Sequence, residues 1–170
     1  FFTPPEVSVL LTRLGTVGKK EINKAYDPAC GSGSLLLKCA ELLGRDAVRN
    51  GFYGQEINIT TYNLCRINMF LHDVGYDKFD IGHGDTLTDP MHWDDEPFEA
   101  IVSNPPYIET EEIAQLMPEV RDHEPRLALD GMSDGLYYYR SIVSQCRDYL
   151  KEDGALLFEI SAGQGAAGRC

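Results

Sequence analysis

The stretch Ala100-Ile101-Val102-Ser103-Asn104-Pro105-Pro106-Tyr107 passes from an apolar run into a proline-locked turn. The run, from about Phe98, reads as a buried strand. Two prolines cannot continue a ladder, because each lacks an N–H and fixes φ. The strand therefore ends at Ser103, with a polar Asn and an aromatic ring at its carboxyl edge. In open α/β sheets that edge is where ligands bind. Asn104 offers a carbonyl acceptor and an amide donor. The Pro105 carbonyl adds a second acceptor, and Tyr107 offers a flat face for stacking. Such a set suits a planar –NH₂ group. Taken alone, the four residues read equally well as a Pro-Pro turn without chemistry.

Outward from this turn, strands alternate with helices. Pro4 to Val17 has a helical pattern, with Thr3 as N-cap, Pro4 at the first position and Val7, Leu10, Leu11 and Leu14 on one face. Strands are predicted over Lys24–Asp27, Gly51–Glu56, Phe79–Ile81, Phe98–Ser103 and Ala155–Ile160. Helices are predicted over Ser34–Leu43, Ile59–Asp73 and from Asp134 or Gly135 to Leu150. This order implies an α/β fold with a mostly parallel sheet, right-handed crossovers and helices on both faces. The segment from Ile108 to Ser133 is too long for a plain connector, and loops of that length are usually functional or disordered.

Three further motifs sit at strand ends. Asp27-Pro28-Ala29-Cys30-Gly31-Ser32-Gly33-Ser34 follows a strand and opens a helix. Its glycines permit a tight turn and close approach of a ligand, and the helix N-terminus suits an anionic group. It is neither G-x-G-x-x-G, since Leu36 stands at the third glycine, nor a P-loop, since no Gly-Lys-Ser/Thr follows. Glu56 ends the second strand at a distance suited to ribose hydroxyls. Asp85 follows the third strand, placed to accept from an exocyclic amine.

The 170 residues fit one domain with a real core. The net charge of −12 argues against this chain gripping a phosphate backbone by itself. Residues 108–134 hold eight carboxylates against Arg121 and Arg126 alone. Five cysteines, at 30, 39, 65, 146 and 170, are odd in number and never in C-x-x-C spacing. A reduced, cytoplasmic protein fits that pattern; a disulfide framework or metal site does not. No apolar run is long enough for a membrane span.

A glycine turn, an acid after strand two, an acid after strand three and Asn-Pro-Pro-Tyr after strand four come in that order. The combination resembles the Rossmann-like class I S-adenosyl-L-methionine-dependent methyltransferases that act on planar amino or amide nitrogens. Residues 1–107 resemble the modification (M) subunit of type I restriction systems, an adenine-N6 DNA methyltransferase. The carriers are Phe2-Thr3-Pro4, Asp27 to Gly33, Gly54-Gln55-Glu56-Ile57-Asn58, Gly84-Asp85-Thr86-Leu87, Asp94-Asp95-Glu96-Pro97-Phe98 and Asn104 to Tyr107. Residues 104–164 resemble the release-factor glutamine methyltransferases, through Pro118-Glu119-Val120, His123-Glu124-Pro125-Arg126, Asp134-Gly135-Leu136, Phe158-Glu159-Ile160 and Gln164.

The resemblance implies a cofactor-binding half (1–107) and a substrate-side half (108–170). It implies that Phe2, Thr3 and Pro4 line the methionine end of S-adenosyl-L-methionine. Asp27, Pro28, Ala29, Gly31 and Gly33 hold its amino-acid part, Glu56 and Ile57 its ribose, and Asp85, Thr86 and Leu87 its adenine. Asn104 and the Pro105 carbonyl hold the target –NH₂, with Pro106 and Tyr107 completing the catalytic turn and Tyr107 stacking on base or amide. No metal is called for. The superfamily's sheet normally has seven strands, and the sequence is expected to stop just after the fifth, which leaves an exposed edge. The first expectation for the acceptor is adenine N6 in DNA, reached through a specificity subunit. The alternatives are a glutamine of a peptide chain release factor, or a non-catalytic fragment of the fold.

Overall fold

The structure, a computed structural model, describes residues 3–92 and 97–164. Phe2, Asp94-Asp95-Glu96 and the C-terminal residues from 165 lie outside the described residues. The strands are β1 (Ile22–Asp27), β2 (Val48–Glu56), β3 (Phe79–His83), β4 (Phe98–Ser103) and β5 (Leu150–Phe158). They lie in the order β3-β2-β1-β4-β5, and every pairing is parallel. The helices are α1 (Pro5–Gly15), α2 (Ser34–Leu43), α3 (Ile59–Leu71), the single turn α4 (Pro118–Arg121) and α5 (Tyr137–Gln145). This is the doubly wound arrangement expected from the alternation of elements.

One face of the sheet is covered by α1, α2 and α3, whose Leu11, Leu36, Cys39, Cys65 and Met69 form a continuous core with Ile22, Ala25, Phe52 and Val102. Each large side chain buried there stabilises by about 1.5–3 kcal/mol. The opposite face is aromatic. Tyr26 stacks on Phe98 at 4.7 Å between centroids, and His92 meets Tyr26 and Tyr53 edge-on. Helix α5 reaches this side through Ile142, which lines a small hollow with Tyr26, Ile101 and Tyr149.

Several boundaries differ from the sequence expectation. Strands β1 and β2 start earlier, at Ile22 and Val48, which pair across a bulge that the polar Arg49-Asn50 disguises. Helix α5 ends at Gln145, and a 3₁₀ turn (Cys146–Asp148) leads into β5. Strand β5 starts at Leu150 rather than Ala155 and carries an irregularity around Gly154, since Phe98 pairs with Leu150 and Ala100 with Ala155.

Helix α1 carries two corrections. It opens at Pro5, with Pro4 in the cap position and no side-chain cap, so Thr3 is not its N-cap. Its buried face is Ser8, Leu11, Thr12 and Gly15, while Leu10 and Leu14 are exposed. A β-carbon on Gly15 would lie 2.8 Å from Leu157 Cδ1, so this helix sits close against β4 and β5 through its small residues. The buried hydroxyls cost little, because Thr12 donates to Ser8 O and Thr16 to Thr12 O, both at 2.8 Å.

Candidate active site

The strand order reverses between β1 and β4, and the crevice outside their carboxyl ends is where such sheets bind ligands. Asp27 ends β1 there and is 1% exposed. Its Oδ1 accepts the Ala29 N–H at 3.0 Å. Burial pushes its carboxyl up to about 7, and the nearby Glu56 charge adds to the rise. The Ala29 bond and the facing Ser103 hydroxyl pull the other way, although Ser103 Oγ makes no well-aligned bond.

The turn after β1 is tied to its neighbours by backbone N–H groups. Cys30 N–H donates to Gln55 O at 3.1 Å, and Gly33 N–H to Cys30 O at 2.8 Å. Gly31 N–H donates to Glu56 Oε2 at 3.0 Å. Glu56 Oε1 accepts the Asn58 N–H at 2.8 Å, so one carboxylate bridges the glycine turn and the start of α3. Asn58 caps α3 through Thr60 N and Thr61 N. Gly33 has φ +82°, and a β-carbon there would lie 2.7 Å from Cys65 Sγ. That glycine is required by packing against α3 and by its left-handed backbone.

After β3, Asp85 Oδ1 accepts the Leu87 N–H at 3.0 Å. Thr86 Oγ1 donates to Pro28 O at 2.5 Å and joins this loop to the first one. After β4, Asn104 Nδ2 donates to Thr3 Oγ1 at 2.9 Å. Thr3, displaced from its expected capping role, thus meets the Asn-Pro-Pro-Tyr turn across 101 residues of sequence.

The segment after Tyr107 folds back on the turn. Ile108 N–H donates to Leu129 O at 3.1 Å, and Gly131 N–H to Ile108 O at 2.8 Å. A β-carbon on Gly131 would lie 2.7 Å from Tyr107 Cα, and one on Gly135, at φ +66°, 2.4 Å from Tyr107 O. Gln164 Nε2 donates to both Tyr107 O and Gly135 O at 3.2 Å. The Tyr107 backbone is therefore clamped by three residues from the far half of the chain.

These loops enclose a cavity of about 530 Å³. Of the expected site residues, Thr3, Asp27, Pro28, Ala29, Gly31, Glu56, Ile57, Asp85, Thr86, Leu87, Asn104, Pro105 and Pro106 line it. Pro4, Gly33 and Tyr107 lie outside that lining. Sequence reasoning missed two walls. Glu124, Pro125, Leu127, Ala128 and Met132 cover the cavity from the long loop, and Tyr137, Tyr138 and Ile142 close it from α5. The available signals were the His123-Glu124-Pro125-Arg126 motif and the three consecutive tyrosines that open α5.

Residues 1–131 match the family described as N-6 DNA Methylase. The chain belongs to that family. It is 49% identical over 117 residues to the type I restriction enzyme MpnII methylase subunit of Mycoplasma pneumoniae, covering 63% of this chain and 21% of that protein. It is 38% identical over 138 residues to the release factor glutamine methyltransferase of Geobacter sulfurreducens, covering 81% of this chain and 45% of that one. The methyltransferase subunit of a type I restriction-modification system from Streptococcus thermophilus has a solved structure that superposes with a TM-score of 0.67. That match is 27% identical and covers 92% of this chain and 34% of the other. Both resemblances read from the sequence are thus present, and the chain spans less than half the length of these curated relatives.

The family and the fold make S-adenosyl-L-methionine the cofactor, and the N-6 DNA Methylase cavity fits it. Open space stands where a β-carbon of Gly31 would be, so the backbone there can approach a ligand closely. The Asp27, Glu56 and Asp85 carboxylates line the same space and supply acceptors for an ammonium group, hydroxyls and an exocyclic amine. Among the described residues no group of three or more His, Cys, Asp or Glu is placed to hold a metal. No described helix is long and apolar enough to cross a membrane.

Proposed function

We propose that this chain is the catalytic core of an S-adenosyl-L-methionine-dependent N-methyltransferase whose acceptor is adenine N6 in DNA. The observation that carries the reading is the orientation of Asn104. Its amide nitrogen is engaged by Thr3, which leaves Oδ1 for the hydrogens of an incoming –NH₂. The neighbouring Pro105, which has no N–H to give, adds its carbonyl as a second acceptor. Two acceptors on the amine hold its lone pair out of conjugation and aim it. Bound between Asp27, Glu56 and Asp85, the cofactor supplies an electrophilic methyl group. The chain's own contribution is positioning and fixed dipoles. The identity to a type I methylase subunit across most of the cofactor half supports adenine as the acceptor. A duplex adenine has to be flipped out to reach the cavity.

The basic surface for DNA has to come from a partner, in line with a specificity subunit. In the segment after the turn, Arg121 pairs with Asp122, Arg126 with Asp130 and Arg140 with Asp134. Each arginine between residues 108 and 140 is neutralised by an acid of the same segment, which leaves no free guanidinium there for phosphates. The same observation favours a second reading, methylation of a release-factor glutamine, since that peptide need not be anionic.

Transfer of labelled methyl groups to unmethylated duplex DNA, with and without a specificity subunit, against a Gly-Gly-Gln-containing release factor separates the two. Label on adenine supports the first reading, and label on glutamine alone replaces it with the second. No rise in Tm at saturating S-adenosyl-L-methionine supports a non-catalytic fragment.

A further inference from the structure

We infer that Gln164 is a positioning residue for the acceptor turn, whose single side-chain amide fixes both the exit of Asn104–Tyr107 and the head of α5. The inference rests on the proposed N-methyltransferase reading. Gln164 lies beyond residues 1–131, which carry the family match, and outside the cavity lining. The turn it serves cannot brace itself. Pro105 and Pro106 have no N–H to donate, so the geometry of this stretch has to be held from outside.

One segment, just after β5, holds both ends. At the entry, the Glu159 N–H donates to Ser103 O at 3.1 Å. At the exit, Gln164 Nε2 donates to Tyr107 O at 3.2 Å. Between these anchors stand the Asn104 side chain and the Pro105 carbonyl, the proposed acceptors for the target amine. Gln164 Nε2 has a second proton, which goes to Gly135 O at 3.2 Å. Gly135 leads into α5, whose Tyr137, Tyr138 and Ile142 line the cavity. One –NH₂ therefore joins the acceptor turn to the α5 wall.

The partners also fix which way the amide faces. Gln164 Oε1 accepts the Ser161 N–H at 3.2 Å, and the Gln164 N–H donates to Ser161 O at 2.9 Å, which closes a short turn around the side chain. Flipped, the amide oxygen would meet two carbonyl oxygens, and the –NH₂ would meet an N–H. The fit is close on the other side as well, since a β-carbon on Gly135 would lie 2.7 Å from Gln164 Nε2. The place demands two donors on one atom, and a carboxylate of the same shape has none to give.

Gln164→Glu keeps the shape and reverses the chemistry, because an ionised carboxylate only accepts. In this variant kcat for methyl transfer is expected to fall about 10–100-fold, the scale of a small misplacement in a reacting pair, with the calorimetric Kd for S-adenosyl-L-methionine unchanged. Protonation of the new carboxyl gives one donor back, so the gap in kcat to the wild type narrows as pH falls. Lost packing alone has no such pH dependence, and Gln164→Ala keeps its deficit at every pH. Without any substrate, the carbonyl ¹³C signals of Tyr107 and Gly135 move together in both variants. An unchanged kcat, a gap that does not narrow with falling pH, a Kd that weakens in step with kcat, or carbonyl signals that stay in place overturns the inference. If Gln164→Glu does not fold, the same kcat, Kd and carbonyl signals measured in Gln164→Ala decide in its place. If the wild type methylates neither DNA nor release factor, the functional reading fails and the positioning role with it, while the carbonyl signals still decide the bridge between the turn and α5.

Discussion

Replacing Asp27 with asparagine isolates the most perturbed carboxyl of the site. Asp27 is 1% exposed, and burial pushes its carboxyl from 3.8 up to about 7. The folded chain therefore keeps a proton that the unfolded chain releases anywhere between those two values. Stability conferred by the neutral form is fully present below about pH 4. It declines as pH rises and is gone above about pH 7. At 1.36 kcal/mol for each tenfold change in proton affinity, that window is worth about 4 kcal/mol. Domains of this size have about 5–15 kcal/mol in total, so the effect is large. The amide introduced by Asp27→Asn keeps an acceptor for the Ala29 N–H and does not titrate. Urea denaturation followed by circular dichroism, from about pH 4 to about pH 8.5, measures both proteins. The wild type is expected to lose up to about 4 kcal/mol relative to Asp27→Asn across that range. A wild-type-minus-variant difference that stays flat with pH would refute the reasoning. The cofactor sharpens the test. Its cationic amine, if placed beside Asp27 as the proposed binding mode has it, favours the ionised form. Affinity for S-adenosyl-L-methionine is therefore expected to rise as pH passes through 7 in the wild type and to lose that slope in the variant.

Three other perturbations probe different parts of the site. Asn104→Ala removes the proposed acceptor for the target amine, so methyl transfer is expected to disappear while calorimetric cofactor binding stays; intact transfer to both substrates would place the reaction elsewhere. Glu56→Ala removes the acceptor of the Gly31 and Asn58 N–H groups and the expected ribose partner. Cofactor Kd should rise about 10–100-fold, the scale of charged hydrogen bonds, and an unchanged titration contradicts that role. Gly135→Ala puts a β-carbon 2.4 Å from Tyr107 O at a left-handed backbone position. A loss of about 1–3 kcal/mol is expected in chemical denaturation, and an unmoved midpoint would show that the Tyr107 clamp gives way freely.

What is legible in the sequence follows from where each signal lives. Asp27, Glu56, Asp85 and Asn104 stand out because each ends or follows a strand, and a parallel sheet delivers its strand ends to one edge whatever else the chain does. Strand starts are misplaced where a bulge hides the pairing, as between Ile22 and Lys24, opposite Val48 to Gly51. Thr3 reads as a helix cap because local rules know only its neighbours, and its true partner is Asn104. Gly131, Gly135 and Gln164 likewise carry no local mark of their grip on Tyr107. That grip has a consequence for the substrate. Residues from the half that resembles glutamine methyltransferases support the backbone of a turn shared with adenine methyltransferases. Their presence therefore testifies to the turn, not to the molecule it receives. The residues able to discriminate are Glu124, Pro125, Leu127, Ala128 and Met132 of the loop wall, which line the cavity and are not among those that clamp Tyr107. An adenine has no use for a carboxylate over its phosphates, whereas a peptide amide has backbone N–H groups to offer Glu124. Exchanging that wall, with Asn104 untouched, is therefore the change through which acceptor preference has to move.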